Sequence, residues 1–419
     1  MIVAMPTGVA HGWGIAGQHI WEEVAHLLPV PGVTLHSMKN PDFSPTFSDA
    51  WNRINIGYCF FENDIEAYRH MEQAAAEWDY IVAGSSWCEY HLRLGGVQQT
   101  STILQGIDPA DFYPGMPRQD DGRFIVFSGG KFELRKSQDV VIAATKVMME
   151  RHSDVWLSCA WHNQWPHSIA TMSGTPYIDF EMDEGLACDD LLRATLVRNR
   201  IAIERVMVHQ MACNNAMREI YLQSDIGLFP NRCEGGNNMV MSEYMACGRT
   251  VIASDKTGHA DVITEQNALP LRQYRQQVIE WGGRPSAIWF QPSVEETIEL
   301  LECAYWNRGL LNQKAEQAAK DLGQLSWHAA AVQFHQIAVD LAGVDYRASV
   351  TDYVESAELL LGKGRMDLAI MKLKQAIRIA PAEPALYRMV AGLQETAGQM
   401  AEAAGYRMKA DTFEQMRKG

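Results

Sequence analysis

The sequence predicts an α/β protein with two domains built on parallel sheets, followed by an all-helical tail. Three observations predict it. Short apolar runs alternate with amphipathic stretches over the first third of the chain, the pattern of strands and crossover helices in a parallel sheet. A linker rich in proline, glycine and aspartate, GIDPADFYPGMPRQDDG (106–122), interrupts this pattern, which then restarts. From about residue 348 the strand patterns cease and a repeat of period 34 begins, read for example from Gly364 to Gly398.

Taken in order, MIVAMPT (1–7) reads as a buried strand, followed by a glycine-rich loop and the helical stretch HIWEEVAHLL (19–28). GVTLHSM (32–38), NIGYCFF (55–61), YIVAGSS (80–86) and STILQG (101–106) read as strands, and IEAYRHMEQAAAEWD (65–79) as a helix. After the linker, RFIVFSG (123–129), VWLSCAW (155–161), RVMVHQM (205–211), DIGLFPN (225–231) and TVIAS (250–254) read as strands. Helices are expected over 137–152, 214–223, 238–246, 294–306 and 311–322, while 162–204 stays unplaced. In the tail Tyr353 recurs as Tyr387, Ala357 as Ala391, Leu359 as Leu393, Ala369 as Ala403 and Ala376 as Ala410, with Pro381 ending the first unit.

A chain of 419 residues holds two to four domains at about 100–200 residues each. With 47% hydrophobic and 21% charged residues it builds cores and is not disordered. A formal charge of −15 repels a phosphate backbone, which argues against a nucleic-acid partner. None of the eight cysteines forms a C-x-x-C pair and several sit in apolar runs, so they read as reduced core residues of a cytoplasmic protein. Met1 leads straight into IVAM without a basic leader, so no signal peptide is expected, and no apolar run reaches the roughly 18–20 residues that span a bilayer.

The stretch DIGLFPNRCEGGNNMVMSEYMACGRTVIASD (225–255) reads as strand, acidic glycine turn, helix and strand. Gly235 and Gly236 let a ligand approach the backbone, and a helix starting at Asn237 or Asn238 aims its free N–H groups and positive dipole end at the same turn. That is an anion site suited to a diphosphate, flanked by carboxylates Glu234 and Glu243 that can accept hydrogen bonds from sugar hydroxyls. The segment resembles the signature E-G-x-x-x-x-x-x-E-A-M-A-C-G of family 4 glycosyltransferases of the GT-B fold. Eight residues separate the two glutamates here, against seven in the family. The resemblance gives Glu243 the ribose-binding role through the following M-A-C-G, and puts Glu234, one residue early, near the donor sugar.

FSGGKFELRKSQDVVIAA (127–144) resembles the family's V-G-R-x-x-x-x-K-G segment, whose basic residues neutralise the donor diphosphate. Lys131 falls at the arginine position and Lys136 at the lysine position; Ser137 replaces the glycine and Arg135 is an extra cation. Lysine supplies a point charge without the bidentate fork of arginine. In GVAHGWGIAG (8–17), Gly12, Gly14 and Gly17 satisfy G-x-G-x-x-G, whose rival reading is a dinucleotide site. In the resembled family this loop approaches the donor phosphate and the acceptor, so Gly14 is expected at the donor and His11 and Trp13 at the acceptor. Glu62, after an apolar strand, either orients the acceptor hydroxyl or belongs to a helix cap with Asn63 and Asp64. His259 in TGHADVI matches a family loop near the donor, and G-I-D-P-A-D-F-Y-P resembles the interdomain strand.

The resemblance implies two facing Rossmann-like domains: an acceptor domain over 1–113 and a nucleotide-sugar domain over 114–325. A helix packing back on the body and a linker would cover 326–347, with tetratricopeptide-like repeats over 348–419. It implies sugar transfer from a UDP- or GDP-linked donor to an acceptor hydroxyl, on a glycan or a protein, with retention of configuration. Lys131, Lys136 and the amides at Gly235 and Gly236 would stabilise the leaving diphosphate, and no essential metal is expected. The nearest acidic pair, Asp179 and Glu181, lies in the unplaced stretch. The tail would present a surface for a protein partner or for self-association. A sugar-nucleotide epimerase of similar architecture and an inactive repeat-bearing scaffold are the alternative readings.

Overall fold

Continuous apolar runs become strands buried on both faces, and the amphipathic stretches become the helices that cover them. The computed structural model describes residues 1–9, 11–116, 118–210, 213–343 and 346–418, the side chains of 346–349, 417 and 418 excepted. The first domain contains β1 (Ile2–Ala4), α1 (Gly12–Ala25), β2 (Val33–Ser37), β3 (Ile54–Cys59), α2 (Asp64–Glu77), β4 (Tyr80–Ala83), α3 (Ser86–Leu94) and β5 (Thr100–Thr102). The five strands are parallel in the order β1-β2-β3-β4-β5. Every residue of β2 and β3 is buried. One core joins Ala16 and Ile20 of α1 to Leu35 and Ile56; the other joins Met71 of α2 and Leu92 of α3 to Cys59 and Ile81. The first helix starts earlier than the sequence suggests: Gly12, Gly14 and Gly17 lie inside α1 rather than in a loop before it. A Cβ on Gly17 would stand 2.0 Å from the Pro6 carbonyl oxygen, so glycine there permits the close approach of α1 to the segment after β1.

The second domain contains β6 (Phe124–Gly130), α4 (Gln138–Arg151), β7 (Val155–Trp161), α5 (Pro166–Ile169), α6 (Cys188–Arg198), β8 (Val206–Val208), α7 (Met217–Leu222), β9 (Ile226–Phe229) and α8 (Met239–Ala246). It continues through β10 (Val251–Ser254), β11 (Leu269–Leu271), β12 (Tyr274–Trp281), β13 (Arg284–Pro292), α9 (Val294–Trp306) and α10 (Arg308–Leu322). The strand expected over 205–211 is only Val206–Val208, and its end, Met211, lies outside the described residues. The sheet runs β11-β10-β9-β6-β7-β8, so its strand order reverses between β6 and β9. Ligands of open α/β sheets bind beyond the carboxyl ends of the strands at such a switch point. A bidentate pair fixes the loop there: Arg232 donates through Nη1 and Nη2 to Asp139 Oδ1 and Oδ2, both at 2.7 Å, with both side chains fully buried.

The antiparallel hairpin β12–β13 is not anticipated by the sequence reading. It turns at Gly282 and Gly283, whose φ angles of 56° and 73° suit glycine, and it reaches across to the first domain. Ile288 N donates to Asp64 Oδ1 at 2.9 Å and Trp289 Nε1 to the Glu62 carbonyl at 2.7 Å.

After α10 the chain returns to the first domain. Ile107 N donates to the Leu325 carbonyl at 2.7 Å, and α11 (Trp327–Ala342) inserts Trp327 and Phe334 into the core around Tyr58 and Ile103. The tail is four helices: α12 (Tyr346–Gly362), α13 (Met366–Ile379), α14 (Pro384–Thr396) and α15 (Met400–Lys418). The repeated alanines 357 and 391, 369 and 403, and 376 and 410 are all buried. Gly364 and Gly398 occupy equivalent turns with φ 73° and 78°. The tail docks on the first domain, where Tyr353 Oη donates to Asp79 Oδ1 at 2.7 Å and the Arg378 guanidinium lies 4.3 Å from the Trp51 ring. Among the described residues no helix is long and apolar enough to cross a membrane.

Candidate functional site

A cavity of about 360 Å³ opens between the two sheets, over the carboxyl ends of β6 and β9. Its floor is a cage of charge. Arg135, buried just before α4, places Nη1 3.1 Å from Glu234 Oε2 and 3.3 Å from Glu62 Oε1, and Nη2 2.6 Å from Glu133 Oε1. Lys136 Nζ lies 2.6 Å from Glu234 Oε1, and Asn231 Nδ2 donates to the same oxygen. Burial alone would raise the Glu234 carboxyl, but Lys136, Arg135 and His259 outweigh it and hold the group down at about 2. Glu234 is therefore a fixed anion at neutral pH, and Lys136 is already paired with it. One of the acids, Glu62, comes from the first domain, so the cage also joins the two halves of the cleft.

Glu243 on α8 lies in different surroundings. Its Oε1 accepts from Asn214 Nδ2 at 2.8 Å and its Oε2 from Tyr221 Oη at 2.9 Å. Burial pushes this carboxyl up to about 7, and the two neutral donors only partly offset it. Between the glutamates the chain turns sharply. Gly235 presses on the first domain, where a Cβ would come within 2.8 Å of the Phe61 backbone. Asn238 takes a positive φ of 55°, which asparagine tolerates better than most residues, and caps α8 through a bond from Met241 N. Its Nδ2 faces His259 Nε2 at 3.1 Å, while His259 Nδ1 faces Ser254 Oγ at 3.2 Å. Ser254 Oγ donates to the Asn231 carbonyl, so His259 carries its proton on Nδ1 and accepts at Nε2. Burial pushes His259 down to about 4, which keeps it neutral.

Lys131 is exposed at the rim, with Nζ 4.8 Å from the centre of the Trp165 ring. Trp165 faces His11 across the cleft at 5.8 Å between ring centres, and Gln164 Nε2 lies 3.3 Å from His11 Nε2. Trp13 packs edge-on against Phe60 at 5.0 Å.

The cleft thus gathers Lys131, Lys136, Glu234, Gly236, Asn238 and Glu243 from the second domain with His11, Trp13 and Glu62 from the first. Gly235, Asn237, His259 and Gly14 stand behind this lining. Asn237 spans the domains by donating to the Gln105 carbonyl at 3.1 Å and accepting from Gln105 N at 3.0 Å. Gly14 accepts from Gly8 N at 3.1 Å. The sequence reading gives Arg135 no specific role, and it misses Asn214, Tyr221, His162 and Trp165. The signal available for Arg135 is its place beside Lys136; the others sit on segments whose only signal is their proximity to strand ends.

Residues 187–277, which include Glu234, Glu243 and His259, match the family described as Glycosyl transferases group 1. None of the curated proteins matches the chain. Among solved structures, sucrose-phosphate synthase from Thermosynechococcus elongatus superposes with a TM-score of 0.54 at 15% identity, over 78% of each chain. A glycosyltransferase from Rickettsia africae gives 0.51 at 13% identity, over 75% of this chain and 77% of that one. S. aureus TarM, solved with fondaparinux, alpha-GlcNAc-glycerol and UDP, gives 0.51 at 12% identity, over 78% of this chain and 59% of its own. At these identities the likeness establishes the fold: the two parallel-sheet domains form a GT-B body, to which a helical tail is added.

Proposed function

We propose that the protein is a retaining glycosyltransferase that moves a sugar from a UDP- or GDP-linked donor to an acceptor hydroxyl. The observation that carries this reading is the pairing of a caged anion, Glu234, before the glycine turn with a buried, neutrally bonded acid, Glu243, on the helix after it, at the sheet's switch point. A ribose diol donates hydrogen bonds, so it suits Glu243, whose present partners are neutral donors that it can exchange. A diphosphate suits the amides at Gly235 and Gly236 together with Lys131 and Lys136. The family match over 187–277 and the UDP in the TarM structure support a nucleotide-linked donor.

In this reading the leaving diphosphate is stabilised by cations already in the cleft, and the transfer step is assigned no metal. The acceptor hydroxyl, on a glycan or a protein, enters between His11, Trp13 and Glu62 and attacks on the face from which the diphosphate departs, with the diphosphate as base. The tail is read as tetratricopeptide-like, and as a surface for a protein partner or self-association. The test is a thermal-shift panel of UDP, GDP, CMP and their sugars, followed by nuclear magnetic resonance of the anomeric centre in the product. Stabilisation by one nucleotide, lost in Glu243→Ala, is expected. No response to any nucleotide overturns the reading, an inverted product overturns retention, and a free epimerised nucleotide sugar favours the epimerase.

A further inference from the structure

The cleft wall formed by residues 163–187 has little regular structure: one short helix, α5, and a 3-10 turn over 170–174. It nevertheless carries Gln164 and Trp165 to the cleft rim. Its two ends meet at an unusual group of side chains. His162 leaves β7, while Cys188 and Asp189 begin α6, and one potential ligand atom from each lies within 4.8 Å of the other two. No other such group of three exists among the described residues.

We propose that His162, Cys188 and Asp189 bind a divalent cation of the zinc class, which clips the two ends of this wall together. Imidazole, thiolate and carboxylate form the mixed nitrogen, sulfur and oxygen set that suits zinc, leaving a fourth position for water. A second observation points the same way: His162 Nδ1 is buried and has no hydrogen-bond partner among the described residues. The surroundings of Cys188 leave its sulfur placed to meet a cation. Asn163 N donates to its Sγ at 3.4 Å, and the residue opens a helix whose cap, Ala187, supplies no side-chain bond to the free amides. On binding, the S–H proton leaves to solvent as the sulfur–metal bond forms, His162 contributes a lone pair, Asp189 contributes a carboxylate oxygen, and no redox change occurs. The closed loop explains why a cation is useful at this point. A clip across a long, irregular segment removes much of its freedom in the open state. The rim contacts from Gln164 and Trp165 to His11 then rest on a fixed wall.

The test uses the full chain, stripped with a chelator and titrated with Co²⁺ while thiolate-to-cobalt charge-transfer absorption is followed. One equivalent is expected to develop the band, and Zn²⁺ to abolish it by displacement. Cys188→Ser removes the band, while His162→Ala and Asp189→Asn weaken uptake. Limited proteolysis within 163–187 is slower with zinc bound. Absence of a band in the wild-type chain overturns the proposal. So does a band that survives Cys188→Ser, which would place the metal on another thiol such as the exposed Cys213. If Cys188→Ser fails to fold by circular dichroism, Cys188→Ala and the wild-type titration decide. None of these readouts depends on sugar transfer, so the clip and the transferase reading fail independently.

Discussion

Glu234 and Glu243 flank a single glycine turn, yet the protein sets them in opposite states. Glu234 sits in a cage with Lys136 and Arg135 and is held down at about 2; Glu243 faces a phenol and an amide and is pushed up to about 7. Both are buried, so burial does not separate them; the partners do. The caged acid keeps its charge at every working pH and organises cations around it. The other can change its bonding when a ligand arrives. Two carboxylates driven apart in this way are the usual mark of a division of labour within a site.

The largest effect that would break this comparison comes from the centre of the cage. Arg135→Ala leaves Glu133 and Glu234 buried without their shared cation and should destabilise the fold by about 3–5 kcal/mol. Urea denaturation checks it. A loss under about 1 kcal/mol, the range of an exposed pair, would mean the cage contributes no more than surface charge. Next come the cations proposed to face the leaving group. Lys131→Ala and Lys136→Ala should each lower turnover by about 10²-fold or more, because in the proposed function they act on charge that develops in the transition state. Steady-state kinetics on variants with native circular-dichroism spectra decides. Unchanged turnover in Lys136→Ala would make its pair with Glu234 scaffolding only.

The Glu243 side is sharpened by pH. In the proposed function ribose hydroxyls donate to the ionised carboxylate, so donor binding would require loss of the proton that Glu243 holds below about 7. Donor affinity should therefore rise as pH increases toward 7 and level off above it. Below that point it should fall by up to about tenfold per pH unit. Titration calorimetry from pH 5.5 to 8.5 measures this, and Glu243→Gln should flatten the profile. A wild-type profile that is already flat would show that Glu243 does not meet the donor.

The same contrast explains what the sequence made legible. The turn from Glu234 to Asn238, its helix and both glutamates are contiguous, so residue types at short spacing disclosed them. The cage is not contiguous: Arg135 gathers acids from 62, 133 and 234, and their meeting depends on how the two domains close. Tyr221 reaches Glu243 from α7 and was invisible for the same reason. The hairpin β12–β13 escaped because β12 is largely exposed and lacks a buried alternation, although Gly282-Gly283 offered a turn signal. The period of the tail was plain because each repeat buries the same small residues; its docking through Tyr353 and Arg378 was not, since it depends on surfaces remote in sequence.

The smallest predicted effect comes from a third, half-buried acid that tests whether a phenol partner alone makes a site like that of Glu243. Asp79, at the joint between tail and first domain, accepts from Tyr353 Oη at 2.7 Å and from Asn55 N at 2.8 Å, and burial raises its carboxyl. The local chemistry matches Glu243, but Asp79 lies before β4, at the amino ends of the strands rather than at the cleft. Tyr353→Phe should cost about 1 kcal/mol, because Asp79 keeps its backbone donor. The loss should appear as faster proteolysis of the tail, with the donor pH profile unchanged. Tyr221→Phe should shift that profile, since it removes a donor from the acid proposed to meet the nucleotide. The nearby exposed pair of Arg365 with Glu72 supplies the control: Arg365→Ala should leave stability unchanged, as expected for a solvated pair. If Tyr353→Phe altered donor affinity as strongly as Tyr221→Phe, the tail joint would be coupled to the cleft. The division between a cleft acid and a docking acid would then fail, because position in the sheet, not the partner, is what now distinguishes them.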